Sequence, residues 1–133
     1  MPVSCNITND AIWLKMSNQV TQQEFSDGLF EAIADQRFVA GRYLVLDFQG
    51  YHEYLSSEEL RFFASQLVGI KEKFSQPVIC IVSDNLHFGL MRMLDAFTST
   101  LGFEIKIFRN ERDVLNFFPV CLAEKNEPYQ ECL

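Results

Sequence analysis

The chain has 133 residues, 48% of them hydrophobic, which suits one domain with a single core and excludes extensive disorder. Its net charge is −7, from 11 basic and 18 acidic residues, and the scattered Lys and Arg residues argue against nucleic acid and acidic membrane surfaces as partners, because both are bound through clustered basic side chains. No apolar run reaches the roughly 20 residues that span a bilayer, and no targeting leader opens the chain, so we expect a cytoplasmic protein.

The chain opens with a predicted β-hairpin and a helix. Residues 3–7 and 11–16 have the pattern of two short strands, and Asn9 and Asp10 between them favour a turn. Thr21 and Glu24 have the spacing of a capping box, in which the two side chains accept hydrogen bonds from amides that a helix start leaves free. Apolar residues at helical spacing follow, which predicts a helix over residues 22–35. A strand is predicted over residues 43–48.

Three more helices are predicted, each behind a polar cap. Ser56 and Glu59 form a second capping box, Asp84 caps the third helix, and Asn110 caps the fourth. The predicted buried residues of the second helix are Leu60, Phe63, Leu67, Ile70 and Phe74. Those of the third are Leu86, Leu90, Met93, Leu94, Phe97 and Leu101, and those of the fourth are Val114, Leu115 and Phe118. Strands are predicted at residues 78–83 and 103–108.

The predicted order of elements is β-β-α-β-α-β-α-β-α, which indicates an α/β fold. The hairpin adds an antiparallel edge to an otherwise parallel sheet, so the expected architecture is a mixed five-stranded sheet with four helices. Residues 78–82 are apolar throughout, which is typical of a strand that helices cover on both faces. We expect one domain over residues 1–118 and a C-terminal tail over residues 119–133.

Three segments resemble the STAS domain family, which includes the bacterial anti-anti-sigma factors. They are VICIVSD at residues 78–84, FGLMRML at residues 88–94 and FEIKIFR at residues 103–109. The likeness is to small, uncharacterised bacterial STAS-like proteins, and it covers most of residues 3–118. The resemblance implies a single STAS-like domain that acts as a non-enzymatic regulatory or protein-interaction module.

The resemblance also bears on two serines. In anti-anti-sigma factors, a partner kinase phosphorylates a serine at the start of the helix after the central strand, and Ser56 and Ser57 match this position. The resemblance therefore implies phosphorylation at Ser56 or Ser57. Leu55 and Glu58 stand where the family motif has Asp and Gly. The alternative to phosphorylation, which the residue types favour, is that Ser56 only caps the helix.

Polar residues at the carboxyl ends of the parallel strands form a predicted ligand pocket, because ligands of open α/β sheets bind at this edge. The candidates are Asp47, Gln49, Ser83, Asp84, Asn85, His87 and Arg109. Nucleophilic catalysis would need a Ser or Cys held by a His with an orienting acid, and no such arrangement is recognisable. We therefore expect no enzyme activity and no cofactor, and His87 is expected to be a surface or capping residue.

Metal and redox chemistry are not expected either. Glu53, Glu58 and Glu59 lie close together in sequence, but carboxylates at a helix start are normally solvated partners of the helix dipole. The four cysteines lack a C-x-x-C spacing, which favours buried or unreactive thiols. Asp47 has the position of the phosphoacceptor in receiver domains, yet residues 17–19 lack the acidic pair that would hold magnesium.

An interface is predicted from aromatic and apolar residues that the helical stripes do not use, together with charged neighbours. Phe88 and Met91 are expected to point away from the buried face of the third helix. The full candidate interface is Tyr51, Tyr54, Phe62, Phe88, Met91, Arg92 and Asp95. The alternative is that the C-terminal tail of the same chain packs over some of these residues, so that they do not form an interface. The expected partner is another protein or a second copy in a homodimer; the alternative function is binding of a nucleotide or an apolar molecule.

Overall fold

Five strands and four helices alternate along the chain in the predicted order. The computed structural model describes residues 3–8, 11–17, 20–35, 41–51 and 53–124, without the side chains at position 22 and at positions 119–124. The strands are β1 Val3–Ile7, β2 Ala11–Ser17, β3 Arg42–Gly50, β4 Phe74–Ile81 and β5 Ile105–Phe108. The helices are α1 Gln22–Ala34, α2 Ser57–Gly69, α3 Asn85–Ser99 and α4 Glu111–Glu124.

The sheet is mixed, and its strands lie side by side in chain order from β1 to β5. β1 pairs antiparallel with β2, with Val3 opposite Met16, whereas β2, β3, β4 and β5 pair in parallel. The predicted antiparallel edge is confirmed, and Asn9 and Asp10, predicted to form its turn, lie outside the described residues. The carboxyl ends of the parallel strands therefore meet at one edge, where the helices begin.

The helices cover the two faces of the sheet unequally. Because parallel strands follow each other in chain order, right-handed crossovers place α1, α2 and α3 on one face, and the main core lies beneath them. α4 covers the other face, where Val114 and Phe118 pack with Tyr43, Val45 and Ile79. Alternate residues of the central strands enter different layers, which is why these strands are apolar at nearly every position.

The helix starts carry the caps that the sequence predicts. At α2, the Glu59 amide donates to Ser56 Oγ at 3.2 Å, and the Ser56 amide donates to Glu59 Oε1 at 3.1 Å. A second reciprocal pair opens α1, and single side chains cap α3 and α4. These further capping residues are Thr21, Glu24, Asp84 and Asn110. Each cap satisfies amides that the first helical turn leaves without a partner.

The buried face of α3 is rotated from the predicted one. Leu86 and Met93, as well as Leu101 just beyond the helix, are exposed and not part of the core. The buried positions of α3 are His87, Leu90, Met91, Leu94 and Thr98. Leu90 and Leu94 are buried as predicted. The prediction is wrong for Leu86, Met93 and Leu101, because His87 and Thr98 are polar residues that a hydrophobic pattern assigns to solvent. Their polar atoms have local partners: the Thr98 hydroxyl, for example, donates to the Leu94 carbonyl at 3.2 Å.

Smaller corrections concern the ends and faces of other elements. Phe74, predicted on the second helix, opens β4, because α2 ends at Gly69. Leu115 is exposed, whereas Val114 and Phe118 are buried as predicted. α4 continues to Glu124, so the predicted domain boundary after residue 118 falls inside a helix, and residues 125–133 of the predicted tail lie outside the described part of the chain.

Candidate functional site

Asp47, Gln49, Ser83 and Asn85 of the predicted ligand pocket lie at the carboxyl ends of β3 and β4 and at the start of α3. Asp47 lies on the α4 side, because its register partner Ile81 belongs to that layer, and its carboxylate accepts a hydrogen bond from the Gln49 amide at 2.9 Å. Ser83 donates to the Gln49 carbonyl at 3.3 Å and so links the ends of β3 and β4. Asn85 is exposed. Asp47 therefore lies in the α4 layer, and the ligand pocket formed by the seven residues stays a prediction.

His87 is buried, which corrects its expected surface position. Nδ1 lies 2.9 Å from both carboxylate oxygens of Asp84, and Nε2 lies 2.8 Å from the carbonyl oxygen of Glu53. The ring thus ties the start of α3 to the loop between β3 and α2. Because both ring nitrogens already face acceptors, this geometry suits a structural role and leaves neither nitrogen to take a proton from a substrate.

The candidate interface residues separate into buried and exposed groups. Tyr51 and Met91 belong to the main core, so the prediction that they lie on an outer surface is wrong. Asp95 accepts a hydrogen bond from the Ile105 amide at 3.0 Å, which ties α3 to β5. Phe62 and Phe88 are partly buried, and Tyr54 and Arg92 are exposed. The Arg109 guanidinium lies 4.4 Å from the centre of the Phe88 ring and covers it.

An open cleft of about 610 Å³ lies at the carboxyl edge of the sheet, on the side of α1 and α2. Its wall residues are Val20, Thr21, Gln23, Tyr51, Glu53, Tyr54 and Glu59. They come from the start of α1, the loop after β3 and the first turn of α2. The cleft is therefore a product of the crossovers, which place two helix starts side by side, and the sequence pattern did not single it out.

Tyr51 forms the buried wall of this cleft. Its side chain is 5% exposed, and its ring packs edge-on against Phe48 and His87 with centroids 5.8 and 5.9 Å away. Burial raises the pKa of the Tyr51 hydroxyl, and the nearby carboxylates of Glu59 and Glu53 raise it further. Tyr51, Tyr54, Glu53 and Glu59 were predicted in other roles. The missed signal is that the first three lie in one strand-to-helix connection and Glu59 lies in the first turn of the helix that follows.

Comparison with solved structures gives a match over most of the chain. The structure is similar to the crystal structure of an uncharacterised protein from the DUF3478 family, with a SpoIIAA-like fold, from Shewanella loihica PV-4. The TM-score is 0.60 at 18% sequence identity, and the match covers 87% of this chain and 91% of the other. The fold of this chain is SpoIIAA-like. No family model matches the sequence, and no curated protein matches it.

The SpoIIAA-like match confirms the STAS-like α/β fold expected from the resemblance, and at this identity the likeness extends to the fold alone. Within this fold, Ser56 caps α2, as the sequence predicts, and Ser57 is exposed in its first turn. Phosphorylation of either serine stays a prediction. An added phosphate on Ser56 would meet the Glu59 carboxylate that shares its capping box, and like charges would repel.

Metal-ligating side chains and the buried cysteine Cys80 bear on the chemistry of the SpoIIAA-like domain. In the described residues, no three His, Cys, Asp or Glu side chains are placed to hold a metal ion. Cys80 is buried in β4, and burial, with a smaller effect from Asp95, raises its pKa to about 12. No helix in the described ranges is both long enough and apolar enough to cross a bilayer.

Proposed function

We propose that the protein is a non-enzymatic interaction module that docks another protein through the outward side of α3. This surface, the α3 face, consists of Leu86, Gly89, Met93 and Ala96. Leu86 is 52% exposed and Met93 is 42% exposed. Gly89, which lies between them, and Ala96, one turn after Met93, are also exposed. Large apolar side chains aligned at helical spacing on an exposed face are typical of a surface that a partner covers.

The size pattern of the α3 face favours a second copy of this chain as the partner. Leu86 and Met93 are large, Gly89 and Ala96 are small, and large and small residues alternate along the helix. Suppose that two copies of α3 pack antiparallel through their exposed sides, about a two-fold axis that crosses the helix at the height of residue 91. Leu86 then lies opposite the Ala96 of the second copy, and Met93 lies opposite its Gly89. Each large side chain then enters the space above a small one, as in ridge-into-groove packing.

Charge sets how this association should respond to salt. Each chain carries a net charge of −7, so two copies repel at a distance. The residues of the α3 face are uncharged, and the contact itself is therefore apolar. Because salt screens the repulsion while leaving apolar burial intact, we expect dimerisation to strengthen as salt is added.

The test is the mass of the protein in solution, measured by light scattering after size-exclusion chromatography over a range of concentrations and salt. We expect a concentration-dependent dimer that Leu86→Glu combined with Met93→Glu converts to a monomer, because dimerisation would bury the new charges. Leu115→Glu is the matched control, since Leu115 is 43% exposed but lies on α4. Circular dichroism checks that each variant is folded.

Three results would count against the proposal. A wild-type monomer at every concentration and salt would exclude the second copy as partner. A dimer that persists in the α3 double variant would place the contact elsewhere. Loss of the dimer in Leu115→Glu as well would show that the effect is not specific to the α3 face.

A further inference from the structure

The cleft between α1 and α2 contains a hydroxyl with unused hydrogen-bonding capacity, carried by a tyrosine that is otherwise buried. The Tyr51 hydroxyl makes no hydrogen bond to any residue in the described part of the chain, although the side chain is 5% exposed. Every side-chain nitrogen or oxygen that is completely buried among these residues has a partner, so this hydroxyl reaches the cleft surface. Buried tyrosine hydroxyls usually find a partner. A ligand in the cleft would supply one.

The charge around this hydroxyl is negative. The carboxylates of Glu53 and Glu59 are close enough to act on the Tyr51 hydroxyl electrostatically, and both residues form cleft walls with Tyr51 and Tyr54. The remaining wall residues in the described part of the chain are Val20, Thr21 and Gln23, so none of the described wall residues is basic. Aromatic rings with carboxylates beside them attract cations, because the ring face and the carboxylate are both electronegative.

The two helix starts at the cleft do not turn it into an anion site. Amides at a helix start normally attract anions, but here the capping boxes of α1 and α2 already occupy part of them with the carboxylates of Glu24 and Glu59. An anion in the cleft would also face Glu53. A bare metal ion is equally unsuited, since no group of three ligating side chains occurs in the described residues.

We propose that this cleft binds an organic cation, a primary ammonium or guanidinium group on an aliphatic stem. The charged group lies between Glu53 and Glu59, one of its N–H groups donates to the Tyr51 hydroxyl oxygen, and the stem lies along Tyr54. A volume of about 610 Å³ is within the range of small-molecule sites and is ample for such a group. The same chemistry occurs in a Lys or Arg side chain of a polypeptide and in a free polyamine.

His87 is the positioning residue of this site. Its Nε2 lies 2.8 Å from the Glu53 carbonyl oxygen and so holds the backbone of Glu53 in place relative to α3. The cleft is separate from the α3 face, because none of Leu86, Gly89, Met93 and Ala96 forms its wall. Failure of one proposal therefore leaves the other to be judged by its own test.

The experiment is an NMR titration of the isotope-labelled full chain with four probes. N-acetyl-lysine methylamide and N-acetyl-arginine methylamide represent polypeptide side chains, and spermidine represents a free polyamine. N-acetyl-citrulline methylamide has nearly the shape of the arginine probe without its charge. We expect the cationic probes to shift the amide signals of Tyr51, Glu53 and Glu59, and the citrulline probe to leave them unchanged.

Matched variants test which groups carry the binding. Glu53→Gln with Glu59→Gln removes both charges, and Gln at position 59 can keep the capping bond to Ser56; we expect affinity to fall about tenfold. Tyr51→Phe removes only the hydroxyl and is expected to cost about tenfold, as for a hydrogen bond from a charged donor. Glu58→Gln is the control, because Glu58 lies in the same helical turn but is not a wall residue.

A second readout follows the ionisation of Tyr51 by ultraviolet absorbance at high pH. Burial and then the Glu59 and Glu53 carboxylates raise the pKa of Tyr51, so a bound cation should lower it. The probe for this readout is N-acetyl-arginine methylamide, because its guanidinium stays charged at high pH, and the change should be missing in Tyr51→Phe. Stronger binding of the amino acid amides would identify a polypeptide as the source of the cation, and stronger binding of spermidine would identify a free polyamine. Equal binding of the citrulline probe, full affinity in the double Gln variant, or no signal shifts with any cationic probe would overturn the proposal.

Discussion

Buried polar side chains in this protein are stable because their polar atoms have partners. His87 bonds to Asp84 and to the Glu53 carbonyl, and the Thr98 hydroxyl bonds back to its own helix. An unpaired buried polar atom would cost about 1–3 kcal/mol, so these bonds are what allow α3 to turn both residues inward. Tyr51 is the contrasting case, since its hydroxyl meets the cleft instead of a protein partner within the described residues.

Cys80 is expected to resist alkylation as long as the protein is folded. Burial raises its pKa from 9.0 to about 12, and the thiolate is the reactive form of a cysteine. At pH 9.0, iodoacetamide should label the exposed Cys5 far faster than Cys80, as measured by peptide mass spectrometry. In urea, where the chain is unfolded, the two should react alike. Equal labelling in the folded protein would contradict the burial of Cys80.

The raised pKa of Cys80 also has a consequence for stability. The unfolded thiol ionises from about pH 9.0, whereas the folded thiol stays neutral until about pH 12. Above pH 9.0 the unfolded state therefore binds fewer protons than the folded state. The stability contributed by this group is complete below pH 9.0 and is lost as the pH rises towards 12.

At the scale of elements, local sequence determines where each helix begins, but packing determines which face it buries. The caps at Thr21, Ser56, Asp84 and Asn110 depend on bonds within four residues, and all four were predicted. The buried face of α3 was predicted only in part, at Leu90 and Leu94. It also includes His87, whose ring bonds to the backbone carbonyl of Glu53. Glu53 is 34 positions away in a loop, and the position of a loop cannot be predicted from hydrophobic periodicity.

Gly28 allows α1 to approach β1 closely. A Cβ atom at this position would lie 2.9 Å from Val3 Cγ1, which is closer than two carbon atoms can pack without displacement. We expect Gly28→Ala to lower the free energy of unfolding by about 1–3 kcal/mol, as for other overpacked sites, in a urea titration followed by circular dichroism.

Gly69→Ala is the control for this prediction. No atom lies within 4 Å of the corresponding Cβ position at Gly69, the last residue of α2. That substitution should leave stability unchanged or raise it by up to about 1 kcal/mol, since alanine favours helix. A Gly28→Ala protein as stable as the Gly69→Ala protein would show that α1 and β1 are not in close contact.

At the scale of the whole molecule, the protein has two apolar layers of unequal size. The larger lies under α1, α2 and α3, and the smaller lies under α4. Phe118 of α4 is central to the smaller layer, where its ring centroid lies 5.7 Å from that of Tyr43 and 6.1 Å from that of Trp13. Because Trp13 is the single tryptophan of the chain, its fluorescence reports on this layer.

Phe118→Ala is therefore expected to change both stability and fluorescence. The lost contacts should lower the free energy of unfolding by about 3–5 kcal/mol, and the Trp13 emission of the folded variant should shift to longer wavelength as water reaches the indole. Phe25→Ala, in the larger layer, should cost a similar amount but leave the folded-state emission unchanged. An unaltered emission in Phe118→Ala would mean that α4 does not cover Trp13.

The sequence by itself determined the order of the elements, the helix caps and the antiparallel edge, because each depends on a local pattern of residues. The STAS-like fold was implied by the resemblance of three segments to that family. The sequence did not determine the rotation of α3, the position of Asp47 in the α4 layer, or the cleft at Tyr51. Those depend on which distant segments meet, and crossover connections bring residues together without leaving a periodic signal. The two functional proposals depend on the exposed Leu86 and Met93 and on the Tyr51 hydroxyl, which has no hydrogen-bond partner among the described residues. For this reason these features are visible only in the tertiary structure.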